Sequence, residues 1–224
     1  MTKYICIEGV EGVGKTTQTQ KLVDYLRSLD YKVLQTKEPG TAHSPLTMEL
    51  RNIMLNAKYE PALTPVAREL ISQAIRSIHL EKVITPAQGE YDFIVQDRGI
   101  LSGLAYGEAC GNDLNWLMSL THIVVKNADR EFSLQPTLIY DKVILLTGNV
   151  KTGLDKAVAA KQEFEAGDAI EMKGLAFMQR VNDNMSKYSS WFKTVSINID
   201  GKSIDDVFTN IIHTLDIRSY NDNR

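Results

Sequence analysis

Residues 9–16, Gly9-Val10-Glu11-Gly12-Val13-Gly14-Lys15-Thr16, satisfy the pattern G-x-x-x-x-G-K-[ST], and no other feature constrains the chain as strongly. The pattern follows the apolar, β-branched run Lys3-Tyr4-Ile5-Cys6-Ile7 and precedes a stretch of helical period. A loop so placed is built for phosphate: glycines let backbone N–H groups curl around an anion, and the helix N-terminus adds partial positive charge. The pattern predicts that Glu11, Gly12, Val13, Gly14, Lys15, Thr16 and Thr17 surround a nucleoside triphosphate. Lys15 then reaches the β- and γ-phosphates, and the Thr16 hydroxyl ligates Mg²⁺.

The rest of the chain supports one α/β unit over residues 1–224. Short β-branched runs at 3–7, 32–35, 93–96, 142–146 and 195–199 alternate with helical stretches, which predicts a five-stranded parallel sheet with helices on both faces. Residues 15–29 place Leu22, Leu26 and Leu29 on one stripe. A second helix places Ala67, Leu70, Ile71, Ala74, Ile75 and Ile78 on another and should stop near Pro86. Ser203 and Asp206 read as the cap of a last helix with Val207, Ile211 and Leu215 inward, followed by a polar tail at 218–224. Residues 107–140 give no functional signal.

A formal charge of -3 argues against a nucleic-acid polymer as partner, since such proteins carry a basic face. Two cysteines, Cys6 and Cys110, show neither metal spacing nor a disulfide framework. No stretch has the length of a membrane span, so the expectation is a cytoplasmic protein that binds small nucleotides.

A phosphate loop tells what is bound, not what is done with it. Neither N-K-x-D nor a D-x-x-G after the second strand is present, which argues against a regulatory GTPase, and a small kinase remains. Three further segments point to its acceptor: Thr36-Lys37-Glu38-Pro39-Gly40 after the second strand, Ala74-Ile75-Arg76 on the long helix, and Asp97-Arg98-Gly99-Ile100-Leu101-Ser102 with Ala105-Tyr106 after the third strand. Ligands of parallel sheets bind at these strand ends. Lys37, Arg51, Arg76 and Arg98 are the cations in and near these segments, available to an anionic acceptor. For Arg76 a solvated helix face is the alternative, and for Tyr106 plain core packing.

With these segments the chain resembles the thymidylate kinase family, whose pattern runs E-G-x-[DE]-G-x-G-K-[ST]-T-Q, T-R-E-P-G, F-x-A-x-R and D-R-x-x-x-S-x-x-A-[YF]. The resemblance implies phosphoryl transfer from ATP to a deoxynucleoside monophosphate, foremost dTMP to dTDP, with Mg²⁺, and a homodimer. It implies that Arg98 and Arg76 bind the acceptor phosphate region and that Glu11 approaches the acceptor sugar. Asp97 becomes a direct or indirect partner of Mg²⁺, Ser102 offers its hydroxyl to the base, and Tyr106 packs beside the deoxyribose.

Three departures stand out. Ser72 occupies the position of the phenylalanine that stacks on thymine, which opens the alternative of a broader or modified-pyrimidine specificity. Lys37 replaces an arginine, keeping charge and losing the bidentate fork. Neither the phosphate loop nor the lid, residues 153–173, carries the arginine that family members use on transition-state charge, which leaves Lys156 and Lys161 as candidates in its place. Two further functions stay open at this point, a deoxynucleoside kinase and a nucleotide-binding homologue without activity.

Overall fold

The computed structural model describes residues 2–128, 137, 139–161, 169–215 and 217, with the side chains of 158, 160, 161 and 171 outside the description. Five parallel strands, β1 (Lys3–Glu8), β2 (Val33–Lys37), β3 (Phe93–Asp97), β4 (Lys142–Thr147) and β5 (Thr194–Asn198), form one sheet in the order β2-β3-β1-β4-β5. All five match the runs read from the sequence. β1 and β3 are buried almost throughout, as strands covered on both faces should be, and for that reason they read as continuous apolar runs.

The register places Ile7 opposite Asp97, and Lys37 opposite the same Asp97. The carboxyl ends of β1, β2 and β3 therefore finish at one level, and the phosphate loop, Glu38 and Arg98 leave the sheet side by side. The sheet order reverses between β1 and β3, the place where open α/β sheets bind ligands.

Helix α1 (Lys15–Ser28) starts directly after Gly14 and buries Leu22, Val23 and Leu26, with Leu29 just beyond its end. It packs against β1, β2 and β3 and against the last helix, α9 (Ile204–Leu215). The expected cap of α9 is present and reciprocal: the Asp206 N–H donates to Ser203 Oγ over 3.1 Å, and the Ser203 N–H donates to the Asp206 carboxylate over 3.1 Å. Val207, Ile211 and Leu215 face inward as expected. The tail at 218–224 lies outside the described residues.

Between β2 and β3 come α2 (Pro45–Leu55), α3 (Pro65–His79) and the short α4 (Thr85–Ala87). A π-helical turn, Leu80–Ile84, links α3 to α4, with the Thr85 N–H reaching the Leu80 carbonyl five residues back. This wider turn carries the helical path to Pro86, which sits in α4, and the path ends at Gln88. α5 (Ile100–Ala109) carries Ser102 and Tyr106, α6 (Leu114–Ala128) falls in the stretch that gave no functional signal, and α7 (Val150–Lys161) and α8 (Gly174–Tyr188) follow β4. Residues 162–168 of the expected lid lie outside the described residues.

The face of α3 reverses expectation. Its buried side holds Arg68, Glu69, Gln73, Ile75, Arg76 and His79, while Leu70 and Val66 are each 50% exposed. The apolar stripe read as core is largely an outer face, and the polar stripe faces the interior. Most of these polar groups are paired there, Arg68 with Glu60, Gln73 Nε2 with Glu69 and Thr121, and Arg76 and His79 with Glu38.

Candidate active site

The phosphate loop is pinned from both sides. Lys15 is 7% exposed and its Nζ donates to the Val10 carbonyl over 2.7 Å, closing the loop on itself. Gly12, at φ 74°, lies so close to α7 that a Cβ there would fall 1.8 Å from the Gly153 carbonyl oxygen. Both glycines are thus required by backbone approach, and the first turn of α7 rests on the loop. Burial, and next Arg98, lower the Lys15 pKa to about 8.

At the end of β3, Asp97 Oδ2 accepts a 2.6 Å hydrogen bond from Thr16 Oγ1, while Asp97 Oδ1 is buried without a partner among the described residues. An orphaned carboxylate oxygen beside a hydroxyl, at the mouth of a phosphate loop, suits a hard divalent cation. Among the described residues, no group of three or more His, Cys, Asp or Glu side chains could hold a metal ion. Mg²⁺ commonly takes only one or two carboxylates and completes its shell with phosphates and water, so the residues present fit it.

Arg98 follows with φ 62°, a left-handed backbone that costs a side-chain-bearing residue about 1–2 kcal/mol. Its surroundings hold it there. Its N–H donates to the Ile7 carbonyl over 2.9 Å. Nη1 donates to the Gly9 carbonyl over 3.0 Å and to Ser102 Oγ over 3.2 Å, and Nη2 donates to Glu11 Oε2 over 2.5 Å. Tyr106, one turn beyond Ser102 on α5, donates to the same Glu11 oxygen over 2.6 Å and carries the Arg98 guanidinium over its ring at 5.2 Å. Burial alone would raise the Glu11 pKa, but Arg98, Lys15 and the Tyr106 hydroxyl outweigh it and bring it to about 2.

Ser102 is less free than the sequence suggests. Its hydroxyl donates to the fully buried Glu8, which also accepts the N–H groups of Gly99 over 2.8 Å and Ser102 over 3.1 Å. Glu8 thereby satisfies donors at the start of α5. Burial raises the Glu8 pKa.

A second buried network lies behind β2. Glu38 accepts from Arg76 Nε over 3.0 Å and pairs with His79 Nδ1 at 3.0 Å, and His79 Nε2 lies 2.8 Å from Thr36 Oγ1. Burial opposes ionisation of Glu38, yet Arg76 and His79 prevail and hold its pKa below the ordinary value. Arg76 is 3% exposed, so the solvated-face alternative is excluded by its position. Arg51 Nη1 donates to the Pro39 carbonyl over 2.7 Å and fixes the turn after Glu38.

Glu11, Glu38, Arg51, Arg76, Arg98, Ser102 and Tyr106 line one open-mouthed pocket beside the phosphate loop. Of the residues read from the sequence, Glu11, Arg51, Ser72, Arg76, Arg98, Ser102 and Tyr106 all line it. Lys37 is exposed at the end of β2 and is not among the lining residues, and Thr17 is exposed on α1. Lys156 is exposed on α7, three residues beyond Gly153, and the Lys161 side chain lies outside the description. Sequence reasoning missed Arg68, Glu69 and Asn112 on the pocket wall and His79 behind it. The signal for the α3 residues was a polar stripe, Arg68, Glu69, Ser72, Gln73, Arg76 and His79, with the same helical spacing as the apolar one.

A loop of P-loop pattern between β1 and α1, a Thr16–Asp97 pair beside it, and an adjoining pocket lined by arginines are the parts of a P-loop kinase. A family model described as thymidylate kinase matches residues 7–211. Curated relatives include the thymidylate kinase of Geotalea daltonii, 33% identical over 202 residues that cover 88% of each chain. That of Finegoldia magna is 29% identical, covering 96% of this chain and 98% of its own. The probable thymidylate kinase of Pyrococcus horikoshii is 31% identical over 93% of each. The fold matches the crystal structure of thymidylate kinase from Ehrlichia chaffeensis with a TM-score of 0.69 over 96% of this chain and 98% of that one, at 23% identity. The chain belongs to the thymidylate kinase family, and it is an ATP-dependent nucleoside monophosphate kinase.

Proposed function

We propose that the protein transfers the γ-phosphoryl group of ATP to dTMP, giving dTDP, as one catalytic domain spanning residues 1–224. The observation that carries this reading is the position of Arg98, whose guanidinium joins the phosphate loop at Gly9 and Glu11 to the acceptor pocket at Ser102 and Tyr106. A cation at that junction neutralises an acceptor phosphate next to the donor, and in-line transfer depends on such positioning and charge stabilisation rather than on a covalent intermediate.

Residue roles follow from place. Gly12, Val13, Gly14 and Thr17 surround the donor with Lys15, whose ammonium serves its β- and γ-phosphates. Thr16 and Asp97 would hold Mg²⁺, which when bound neutralises charge on the phosphate oxygens. Arg98 and Arg76 serve the acceptor phosphate region, Glu11 the sugar, and Tyr106 packs beside it. Arg51 shapes the pocket through Pro39, Ser102 orients Arg98, and Ser72 leaves room beside the base. Lys37 assists electrostatically from the strand end. Lys156 stands three residues from Gly153, on the side of α7 that rests on the loop, which favours it over Lys161 as the substitute for the missing arginine.

The exposed apolar residues Val66 and Leu70 on α3, Ile53 on α2 and Ile123 on α6 lie on neighbouring helices and support a homodimer through that face. Two free cysteines fit a cytoplasmic location, and among the described residues no helix is long and apolar enough to cross a membrane.

A coupled ADP-release assay with dTMP and thymidine as acceptors tests the reading. The expected result is turnover of dTMP at least a hundredfold faster than of thymidine, since a neutral acceptor leaves the buried cations unused. Preferred turnover of thymidine would establish a nucleoside kinase instead. ATP binding without ADP release on any acceptor would establish an inactive homologue.

A further inference from the structure

We propose that Glu8, the last residue of β1, is a positioning residue for the transfer reaction: it fixes Ser102 and the start of α5, and through them holds the Arg98 guanidinium between the phosphate loop and the pocket. This deepens the proposed function and rests on it.

A carboxylate is costly to desolvate and is kept inside a protein where donors meet it. Glu8 is fully buried. Its Oε1 accepts the Gly99 N–H over 2.8 Å and the Ser102 N–H over 3.1 Å, with Cys6 Sγ 3.8 Å away, and its Oε2 accepts the Ser102 hydroxyl. Apart from the Cys6 thiol, these donors belong to the segment that directly follows Arg98, so the acid ties the end of β1 to the residues around that arginine. Gly99 permits the close approach. A Cβ there would fall 2.1 Å from the Tyr140 hydroxyl oxygen and 3.1 Å from Cys6 Sγ.

Ser102 has one hydroxyl proton, and Glu8 takes it. The lone pairs are left for Arg98 Nη1, which donates to Ser102 Oγ over 3.2 Å. The result is a directed chain from Arg98 through Ser102 to Glu8, in which the buried acid aligns the hydroxyl for the guanidinium. With its proton committed to Glu8, the hydroxyl has none to donate to a base. The Arg98 backbone is gripped as well. Its carbonyl accepts from Gln96 Nε2 over 2.7 Å, Gln96 accepts from the Tyr4 hydroxyl, and the Arg98 N–H donates to Ile7. Glu8 holds the next peptide at Gly99, so the left-handed φ of 62° at Arg98 is maintained from both sides of the residue.

The test is a pair of double-mutant cycles with ATP and dTMP: Glu8→Gln and Ser102→Ala, each made in the wild-type chain and in Arg98→Ala. Glutamine keeps the shape of Glu8 and removes its charge. In the wild-type background each change is expected to lower kcat/KM for dTMP roughly tenfold or more, with an ATP Kd within about threefold of wild type. In the Arg98→Ala background each is expected to cost less than about twofold, because a residue that acts through Arg98 has nothing left to position. A general defect of the fold, or a direct contact of Ser102 with the base, costs as much with Arg98→Ala as without it, and that outcome overturns the inference. So does a folded variant with wild-type kinetics, or a loss of ATP affinity in step with activity. If Glu8→Gln does not fold, the Ser102→Ala cycle decides by the same readings, since Ser102 is the middle link of the chain. Additive cycles in an active enzyme leave the proposed function standing, whereas a wild-type chain that phosphorylates no dTMP removes the proposed function and this inference with it.

Discussion

Thr16 Oγ1 and Asp97 Oδ2 lie 2.6 Å apart, joining the first turn of α1 to the end of β3, and the second oxygen of Asp97 is buried with no partner among the described residues. The pair would give Mg²⁺ a hydroxyl and a carboxylate, with phosphates and water completing its shell. Asp97→Asn keeps the shape and removes the charge, so the Mg²⁺ concentration for half-maximal activity should rise at least tenfold and kcat should fall by about 10²-fold or more. Titration of activity against Mg²⁺ at saturating nucleotide checks this. An unchanged Mg²⁺ requirement would remove Asp97 from the metal site.

Lys15 gives the donor site a pH dependence. Its pKa is lowered to about 8 by burial and by Arg98, so the free enzyme loses this ammonium as pH rises above that value. Bound phosphates favour the charged form, and ATP binding should therefore take up a proton near and above pH 8. ATP affinity should weaken with rising pH by up to about tenfold per unit above the pKa. Calorimetry of ATP binding in buffers of different ionisation enthalpy detects the proton directly. Binding without proton uptake at pH 8.5 would show that Lys15 is not the group concerned.

The Arg76–Glu38 pair should matter to stability as well as to binding. Arg76→Met removes the cation from a carboxylate that is 6% exposed, and breaking a buried pair in this way costs about 3–5 kcal/mol. Glu38 has a lowered folded pKa, so its contribution is present above the ordinary carboxylate pKa and is lost as pH falls through the lower folded value. The variant should thus be markedly less stable to urea at neutral pH, and the difference should shrink under acid conditions. Equal urea midpoints at pH 7 would contradict the assignment.

The loop between β1 and α1 was legible in the sequence, and the lining of the pocket beside it only unevenly. The phosphate loop, the five strands and the Ser203–Asp206 cap are local signals, in which residue type and spacing alone decide the geometry. α3 shows where locality ends. Its two stripes have the same period, and which one is buried depends on Glu38, Thr121 and Gly103, partners far away in the chain. Leu70 therefore reads as core and lies outside, while Glu69, which the sequence does not single out, lines the pocket. Ser102 gives the same lesson, because its hydroxyl is claimed by Glu8 from across the sheet edge. Lys37 has a similar story: its place at the end of the second strand is legible, but its exposure is not.

The central claim is that Arg98 joins donor and acceptor sites and serves the acceptor and the transferred group rather than the binding of ATP. The most direct measurement compares Arg98→Ala with wild type in two assays, ATP binding by calorimetry and dTMP-dependent ADP release at saturating ATP. The account predicts an ATP Kd within about threefold of wild type and a loss of turnover of at least 10³-fold. Loss of ATP affinity in parallel with turnover, or turnover retained within tenfold, would contradict it.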